Sequence, residues 1–376
     1  MNFEQVIGLE VHCELKTHSK MFSAAPVTFG EDVNTMVNEV DLGMTGTMPV
    51  LNKRGVEFAI RVCHALHMEI DELLCFDRKN YYYSDLPKGF QITQDKRPIG
   101  RNGYLDIEVD GEVTRVEIER LHMEEDTAKQ FHFDDYSLID YNRAGIPLIE
   151  IVTRPNIGNG AQAAAYLEKL RQVFLYTDVS DAKMEEGSMR CDVNISIRPF
   201  GSEEFGIRTE IKNLNSISNV QKAIEFEAMR QEKVLIQGGE VKQETRRFDE
   251  DSKETVVMRA KGDAVDYKYY TEPNILPIRL DHQWVMQIKD ELPMMADERA
   301  KLYIEKHGLP QTDANILVAS KDISDFYEET IQTCQEYKLV CNWLLGEVQA
   351  YLNKENLTIQ QTKLTPAYLG KMISFI

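Results

Sequence analysis

The stretch VIGLEVHCEL, residues Val6–Leu15, alternates apolar and polar side chains along its length. The apolar set is Ile7, Leu9, Val11, Cys13 and Leu15, and the other set is Gly8, Glu10, His12 and Glu14. A period of two residues predicts a β-strand with one buried face. The second face is unusual because two carboxylates flank an imidazole. We therefore expect this strand to support both a core and a chemical site.

Four later segments also place carboxylates among strand-forming residues. They are RLHMEED (Arg120–Asp126), IPLIEIV (Ile146–Val152), MRCDVNISI (Met189–Ile197) and IRTEI (Ile207–Ile211). If these strands share a sheet, their polar faces form a carboxylate-rich cavity, and the mutual repulsion requires a compensating cation. Oxygen ligands favour a hard ion, with Mg²⁺ first if phosphates are involved. The alternative is a set of solvated strand faces with no ligand.

A tyrosine-rich segment, FDRKNYYYSDLPKGFQITQ at Phe76–Gln94, is the second candidate site. We predict a loop that offers aromatic faces for a base and two lysines for phosphate groups. The alternative is a packed, tyrosine-rich loop that binds nothing.

The excess of acidic over basic residues limits the classes of function that the chain can have. Of 376 residues, 62 are Asp or Glu and 43 are Lys or Arg, which gives a formal net charge of −19. This charge disfavours a protein that only binds nucleic acid, because attraction to phosphate supplies most of such affinity. It leaves room for a large RNA that is held by local basic patches or by partner subunits.

Targeting and cofactor motifs are scarce. The N-terminus has no signal pattern, and no apolar run reaches membrane-spanning length. The six cysteines are scattered without a C-x-x-C pair, which is typical of a reduced, cytoplasmic protein. There is no P-loop motif. The G-x-G-x-x-A match at Gly158–Ala163 does not indicate a dinucleotide site, because Thr153–Pro155 separates it from the strand and no parallel βαβ unit follows.

Periodicity also predicts the order of the elements. Apolar residues at helical spacing predict helices at Asn52–Met68, Ala161–Phe174 and Asn215–Gln237. A hairpin turn is expected at Asp110-Gly111, and a change of apolar phase between Ile118 and Leu121 predicts a bulge. From about Asp290 short amphipathic helices follow, at Ala296–His307, Thr312–Ala319, Ser324–Tyr337 and Leu339–Asn353.

Several long, irregular segments occur in a distinctive order. They are IGLEVHCEL, KNYYYSDLPKGFQITQ, LHMEEDTAK, DYNRAGIPLIEIVT, YLEKLRQ, MEEGSMRCDVNISI, RTEIKNLNS, ETRRFDEDSKETVVMR and DYKYYTEPNILP. Through them the whole chain resembles the family of B subunits of the glutamyl/aspartyl-tRNA amidotransferases. The resemblance implies an α+β fold, with a cradle-like catalytic domain on a largely antiparallel sheet at residues 1–290 and a helical domain at residues 291–376. It also implies that the family's C-terminal tail domain is absent from this sequence.

The resemblance implies an ATP-dependent, glutamine-hydrolysing carbon–nitrogen ligase. In this family the B subunit phosphorylates the side-chain carboxylate of Glu on tRNA(Gln) or of Asp on tRNA(Asn). Ammonia from the amidase (the A subunit) then displaces the phosphate, and the heterotrimer is completed by a small C subunit. We expect a cytoplasmic location and no membrane partner.

Phosphoryl transfer brings anions together and needs groups that neutralise their charge. This requirement gives the polar residues their expected roles. The metal candidates are Glu10, His12, Glu124, Glu125, Glu150, Asp192 and Glu210, with His12, Glu10 and Glu125 ranked highest. The catalytic candidates are Glu10, His12, Glu125, Lys79 and Arg190. The nucleotide candidates are Tyr81, Tyr82, Ser84, Lys88 and Gln91. Arg143 and Lys212 join Lys79 and Arg190 as candidate contacts to phosphate or to the aminoacyl carboxylate.

The expected cofactor is Mg²⁺, with ATP as a substrate. A histidine ligand is unusual for Mg²⁺, so Mn²⁺ is a candidate substitute. Many family members carry two cysteines just before the LPVLN-like segment, whereas VNEVDLGMTGTMPVLN has none here, and no zinc is expected.

Two other functions remain open. A non-catalytic scaffold would hold tRNA and the amidase without metal or nucleotide, although burying so much charge without a use is costly. A stand-alone Mg²⁺-dependent ligase for a small acid would turn over ATP without tRNA or partners.

Overall fold

The alternating stretch at Val6–Leu15 forms most of β1 (Phe3–Glu14), as predicted. The computed structural model describes residues 2–260 and 267–375. The other strands are β2 (Glu69–Ile70), β3 (Leu73–Leu74), β4 (Asp77–Asn80), β5 (Phe90–Thr93), β6 (Gly100–Val109), β7 (Glu112–Glu125), β8 (Lys129–His132), β9 (Ser137–Asp140), β10 (Pro147–Thr153), β11 (Met189–Pro199), β12 (Thr209–Leu214), β13 (Glu244–Asp249), β14 (Glu254–Ala260), β15 (Lys268–Thr271) and β16 (Ile278–Arg279).

Strand β1 is the central strand of the large sheet. Nine of the described strands pair in the order β14-β13-β12-β11-β1-β10-β7-β6-β2. All neighbours are antiparallel except β12 and β13, which are parallel. Three smaller sheets are formed by β15-β4-β5, by β16-β3 and by β8-β9. The predicted α+β fold on a largely antiparallel sheet is confirmed.

The helices of the described chain are short apart from α2 and α3. They are α1 (Lys53–Ala65), α2 (Gly160–Tyr176), α3 (Ile217–Ile236), α4 (His282–Asp290), α5 (Ala296–Glu305), α6 (Gln311–Ala319), α7 (Lys321–Ile331), α8 (Tyr337–Trp343), α9 (Gln349–Glu355) and α10 (Pro366–Ser374). The asparagine before α1 caps it, because Asn52 Oδ1 accepts hydrogen bonds from the amides of Arg54 and Gly55. None of the described helices has the length and apolar character needed to cross a membrane.

Some predicted helix bounds are wrong for identifiable reasons. Helix α1 ends at Ala65 and not at Met68, because His67 takes a left-handed φ of 55° that closes the helix. Ser324 lies inside α7 and not at its start, and its hydroxyl accepts a hydrogen bond from Arg299 Nη1 at 2.9 Å. The predicted helix Leu339–Asn353 is divided into α8 and α9 by a π-helical turn at Leu344–Val348.

The core lies on the face of the sheet that carries the apolar residues of β1. Ile7, Leu9 and Val11 are fully buried there. They belong to one hydrophobic cluster with side chains of the covering helices, including Phe58, Ile60, Leu167, Leu170 and Ile224. Burying a large aliphatic side chain stabilises the fold by about 1.5–3 kcal/mol. One face of the sheet is therefore fixed by packing, which leaves the other free to carry polar groups.

The chain separates into two compact units. The first comprises Met1–Phe174 and Asp178–Leu292 and contains the large sheet. The second comprises Leu175–Thr177 and Pro293–Ile376 and has its own hydrophobic cluster, which includes the buried Tyr303, Tyr327 and Leu317. The candidate site residues all lie in the first unit.

Candidate active site

The polar face of the large sheet carries a row of side chains across four strands. His12 on β1 is directly opposite Glu150 on β10 and Arg190 on β11, and Glu150 is opposite His122 on β7. A second row places Glu10 opposite Asp192 on β11. Residues directly opposite one another in antiparallel strands project from the same face. The registers therefore bring together side chains that are far apart in sequence.

A bulge in β7 decides which of its residues join this face. Val152 and Thr153 of β10 are consecutive but pair with Arg120 and Ile118, so Glu119 is the extra residue. The predicted bulge is confirmed. Because the apolar phase changes at the bulge, His122 and Glu124 point to the polar face.

These side chains line a cavity of about 430 Å³. Its lining residues are Glu10, His12, Lys79, Thr93, Gln94, Asp95, Arg120, His122, Glu124, Glu150, Asp192, Glu210, Lys212, Tyr267 and Tyr269. The predicted convergence of the strand carboxylates is confirmed for Glu10, Glu124, Glu150, Asp192 and Glu210. The acidic residues form two separate groups within the cavity.

The first group, which we call the imidazole group, consists of His12, His122, Glu124 and Glu150. His12 Nε2 lies 3.4 Å from Glu150 Oε2 and 3.7 Å from Glu124 Oε1. His122 Nε2 lies 3.1 Å from Glu150 Oε2 and 3.5 Å from Glu124 Oε2. Each imidazole thus bridges the same two carboxylates.

Burial and charge act in opposite directions on the imidazole group. Burial lowers the pKa of His122, but Glu150 and Glu124 outweigh it and raise this pKa to about 9. The pKa of His12 is raised for the same reason. Burial raises the pKa of Glu150, but the two imidazoles hold it well below its usual range. Protonated imidazoles therefore compensate these carboxylates in the absence of a metal.

The donor set of the imidazole group suits a divalent ion. His12, Glu124 and Glu150 each offer one ligand atom, and these atoms lie within 4.8 Å of one another. One imidazole nitrogen and carboxylate oxygens are ligands that Mn²⁺ and Mg²⁺ accept. A bound ion replaces protons on the histidines, because a ligating imidazole must be neutral.

The second group, which we call the ammonium group, consists of Glu10, Asp192, Glu210 and Lys212. Lys212 Nζ lies 2.5 Å from Asp192 Oδ2 and 3.1 Å from Glu210 Oε1. Asn194 donates a hydrogen bond of 2.8 Å to Glu10 Oε1. Burial and the charges of Glu150 and Asp192 raise the pKa of Glu10. The three carboxylates also offer ligand atoms within 4.8 Å of one another, but the lysine already supplies their positive charge.

Lys79 differs from the other cations that line the cavity. Lys212 is paired as above, and Arg120 has Glu119 within 3.7 Å. Within the described chain, no carboxylate lies within 4 Å of Lys79 Nζ, which sits instead over the ring of Tyr267, 4.5 Å from its centroid. A half-buried ammonium without a carboxylate partner within 4 Å in the described chain is chemically suited to contact an anion.

Glu125 lies outside both groups. Lys88 Nζ contacts both of its carboxylate oxygens, at 2.5 and 2.6 Å, and the amide of Ile92 donates to it at 2.9 Å. Glu125 follows Glu124 on β7, and neighbouring residues of a strand project from opposite faces. This placement corrects the expectation that Glu125 shares a metal ion with Glu10 and His12.

The tyrosine-rich segment forms a hairpin in which β4 pairs with β5, and residues 81–89, with the three tyrosines, form the loop between them. Two of the nucleotide candidates contact Glu125. Lys88 pairs with its carboxylate, and Gln91 Nε2 donates a hydrogen bond to its carbonyl oxygen at 2.7 Å. Ser84 Oγ accepts a hydrogen bond from Gln130, and Tyr82 is 97% exposed. Among the nucleotide candidates, Tyr81 packs edge-on against the ring of Tyr267, which lines the cavity.

The side chains of Arg190 and Arg143 also pair with a carboxylate, that of Asp126. Arg190 Nη2 lies 2.6 Å from Asp126 Oδ2, and Arg143 Nε lies 3.7 Å from the same oxygen. Burial and the neighbouring Asp126 raise the pKa of Glu14 to about 8. The expected contact of Arg190 with phosphate stays a prediction that requires this ion pair to open.

Sequence reasoning missed the two tyrosines of the cavity wall, Tyr267 and Tyr269. Tyr269 lies in β15, which pairs with β4 so that Tyr269 is directly opposite Lys79, and Tyr267 immediately precedes β15. Their spacing of two residues in YKYY places both on one strand face, and this pattern was the available signal. Nothing in the sequence shows that β15 pairs with β4.

The α+β fold carries an acidic cavity that offers carboxylate ligands and a lysine side by side. Residues 5–286 match the model of the GatB/GatE catalytic domain, and residues 325–376 match that of the GatB domain. Relatives from Mesoplasma florum, Lysinibacillus sphaericus and Staphylococcus saprophyticus are 55%, 54% and 53% identical. Each match covers 100% of this chain and 78–79% of the relative. All three are named as the B subunit of an aspartyl/glutamyl-tRNA(Asn/Gln) amidotransferase. The chain belongs to the GatB family.

Proposed function

We propose that this chain is the B subunit of a tRNA-dependent amidotransferase, an ATP-dependent carbon–nitrogen ligase. It transfers the γ-phosphoryl group of ATP to the side-chain carboxylate of Glu on tRNA(Gln) or of Asp on tRNA(Asn). Ammonia then attacks the acyl phosphate, an amide forms and phosphate leaves. The single observation that carries the proposal is the cavity in which Lys79 remains available beside two groups of carboxylates.

The reaction requires a cavity of this kind. A carboxylate is a poor electrophile, and phosphorylation gives it a good leaving group. Phosphoryl transfer brings two anions together, so cationic groups must neutralise them. Lys79 supplies one positive charge that no carboxylate of the described chain pairs with at 4 Å or less, since its ammonium lies over the ring of Tyr267. Mg²⁺ or Mn²⁺, held by His12, Glu124 and Glu150, would neutralise further phosphate charge when bound.

The two groups have different proposed roles. The imidazole group is the primary ion site, because its compensating charges are protons that can leave. Glu10, Asp192 and Glu210 form a candidate second site that an ion enters only where Lys212 moves away. Glu125, Arg190 and the nucleotide candidates Tyr81, Tyr82, Ser84, Lys88 and Gln91 remain part of the proposal as residues around the cavity and its neighbouring hairpin.

The partners follow from the chemistry and from the family. The relatives are named as subunits, so the proposed assembly is a multi-subunit enzyme in the cytoplasm. The amidase, which is the A subunit, supplies ammonia, and the heterotrimer is completed by the small C subunit. The proposed substrates are tRNA(Gln), tRNA(Asn) or both, misacylated with Glu or Asp.

The test is ATP hydrolysis by this chain in complex with the amidase and the small third subunit. Each assay is run with and without Glu-tRNA(Gln) or Asp-tRNA(Asn), in Mg²⁺ and in EDTA. Turnover that requires both aminoacyl-tRNA and the ion supports the proposal. Ion-dependent turnover that ignores tRNA favours the small-acid ligase, and tRNA binding without any turnover favours the scaffold.

A matched pair of variants makes the test specific. Lys79→Met removes the available ammonium, and we expect turnover to fall about 10²–10³-fold, as for the loss of one preorganised transition-state contact. The control is Lys129→Met, because Lys129 also lies over an aromatic ring, 5.0 Å from the centroid of Phe131, but outside the cavity. Equal activity of the two variants would contradict the role of Lys79.

A further inference from the structure

The ammonium of Lys79 lies against the rings of Tyr81, which follows β4, and Tyr267, which precedes β15. Its Nζ lies 4.5 Å from the ring centroid of Tyr267 and 5.7 Å from that of Tyr81. Tyr81 meets Tyr267 edge-on at 5.2 Å with an interplanar angle of 79°, and Tyr269 meets it at 6.4 Å and 65°. These two edge-to-face neighbours, Tyr81 and Tyr269, fix the orientation of the Tyr267 ring. The face of that ring is thereby presented to the lysine.

Lys212 is a second lysine of this cavity, and it is not held over a ring in this way. Its ammonium pairs with Asp192 and Glu210 and is not available to a ligand. Lys79 is drawn in the same way by Glu124 and Glu150, whose charges act on it across the cavity. A lysine has a flexible stem, so its available position must be held by another interaction. The closer of its two cation–π contacts, the one with Tyr267, supplies that interaction.

We propose that Tyr267 is a positioning residue that holds the Lys79 ammonium over its ring and away from the cavity carboxylates, so that the lysine is free for the phosphate of the nucleotide. The identity of the anion rests on the proposed function, whereas the position of the ammonium does not. The sequence separation is large, and the contact exists because β15 pairs with β4.

The matched control lies three residues further along the chain, in β15. Tyr270 projects from the face of β15 opposite to that of Tyr269, and its hydroxyl accepts a hydrogen bond from Arg78 Nη1 at 3.2 Å. Its ring centroid lies 5.8 Å from the Arg78 guanidinium. Tyr270→Leu therefore removes a nearby tyrosine and a ring–cation contact without touching Lys79. Tyr267→Phe keeps the ring of Tyr267, and Tyr267→Leu removes it.

The position of the ammonium is tested first, on the full chain alone. Lysine labelled with ¹³C at Cε is incorporated, and the Lys79 resonance is identified by its absence from Lys79→Arg. A proton held over a ring face resonates upfield of a solvated one. We expect an upfield Lys79 signal in the wild type, Tyr267→Phe and Tyr270→Leu, and an ordinary position in Tyr267→Leu. An unshifted wild-type signal, or a shift that survives in Tyr267→Leu, overturns the proposal.

The consequence is tested in the assembled enzyme by a double-mutant cycle. We expect Tyr267→Leu to lower kcat/KM for ATP about tenfold, and Tyr267→Phe to retain activity. In a Lys79→Met background, Tyr267→Leu should cost nothing further, because a residue that acts through Lys79 has no effect without it. The same loss in both backgrounds overturns the positioning role. A wild-type enzyme without ATP turnover contradicts the proposed function alone, since the resonance of Lys79 still decides where its ammonium lies.

Discussion

The two acidic groups of the cavity are built from the same strands but are neutralised in different ways. In the imidazole group the carboxylates raise the pKa of His12 and of His122, and these histidines supply the compensating charge when protonated. In the ammonium group the compensating charge is the permanent cation of Lys212. A proton leaves its site at a modest cost set by pH, whereas a lysine leaves only by moving its side chain. The comparison therefore predicts which group receives a divalent ion first.

The largest expected effect is the loss of the carboxylate that serves both imidazoles. Glu150→Gln should weaken binding of Mg²⁺ or Mn²⁺ by more than about 100-fold and reduce ATP turnover by a similar factor. Isothermal titration with Mn²⁺ and the ATP assay measure these losses. Glu119→Gln, at an exposed position of the β7 bulge, is the control. If both variants bind Mn²⁺ like the wild type, the imidazole group is not the primary site.

The second effect is a dependence of stability on pH. The pKa of His122 is about 9 in the folded chain and 6.5 in the unfolded chain, so its protonated form stabilises the fold. This stabilisation is fully present below pH 6.5 and is lost as pH rises through about 9. Its magnitude is on the order of 2 kcal/mol, since one pKa unit corresponds to about 1.4 kcal/mol and neighbouring groups titrate with it.

Urea unfolding in EDTA between pH 6 and pH 10 measures this dependence. The free energy of unfolding of the wild type should fall over this range. His122→Gln lacks the titrating group, so its free energy of unfolding should fall less. Parallel pH profiles for the two proteins would show that the imidazole group does not compensate its carboxylates with this proton.

The third effect concerns the ammonium group. Lys212→Met leaves Glu10, Asp192 and Glu210 without their counter-ion, and we expect a loss of about 1–2 kcal/mol in the free energy of unfolding in EDTA. Added Mg²⁺ should restore more stability to this variant than it gives to the wild type, because the carboxylates have become available. Equal stabilisation of both proteins by Mg²⁺ would mean that Lys212 does not compete with an ion.

The sequence was sufficient to predict the sheet and most of the cavity. Period-two patterns place Glu10, Asp192 and Glu210 on polar strand faces, whereas Glu150 stands out as the one carboxylate of an almost wholly apolar strand. All four line the cavity. The groups themselves could not be predicted, because they depend on the cross-strand register. That register is set by packing on the opposite face. Tyr267 and Lys79 meet for the same reason, through a pairing of β15 with β4 that leaves no local pattern.

The choice between Glu124 and Glu125 was within reach of the sequence. After the bulge, Leu121 and Met123 occupy the apolar face, and both are fully buried. Continuing that alternation assigns Glu125 to their face and Glu124 to the polar face, as observed. The phase change predicts that the bulge alters the direction of the carboxylates that follow it, and the new alternation distinguishes the two glutamates. A shift of one residue reverses every side chain that follows it.

The smallest expected effect tests this assignment directly. Glu125→Gln should change the affinity for Mn²⁺ by no more than about twofold, because the Glu125 side chain lies outside both groups and pairs with Lys88. Glu124→Gln, one residue earlier on the same strand, should weaken Mn²⁺ binding strongly because it removes a ligand. The substitutions are chemically identical, so any difference reports the face from which each side chain projects. Comparable losses of Mn²⁺ affinity in the two variants would place Glu125 at the ion and reverse the assignment made from the bulge.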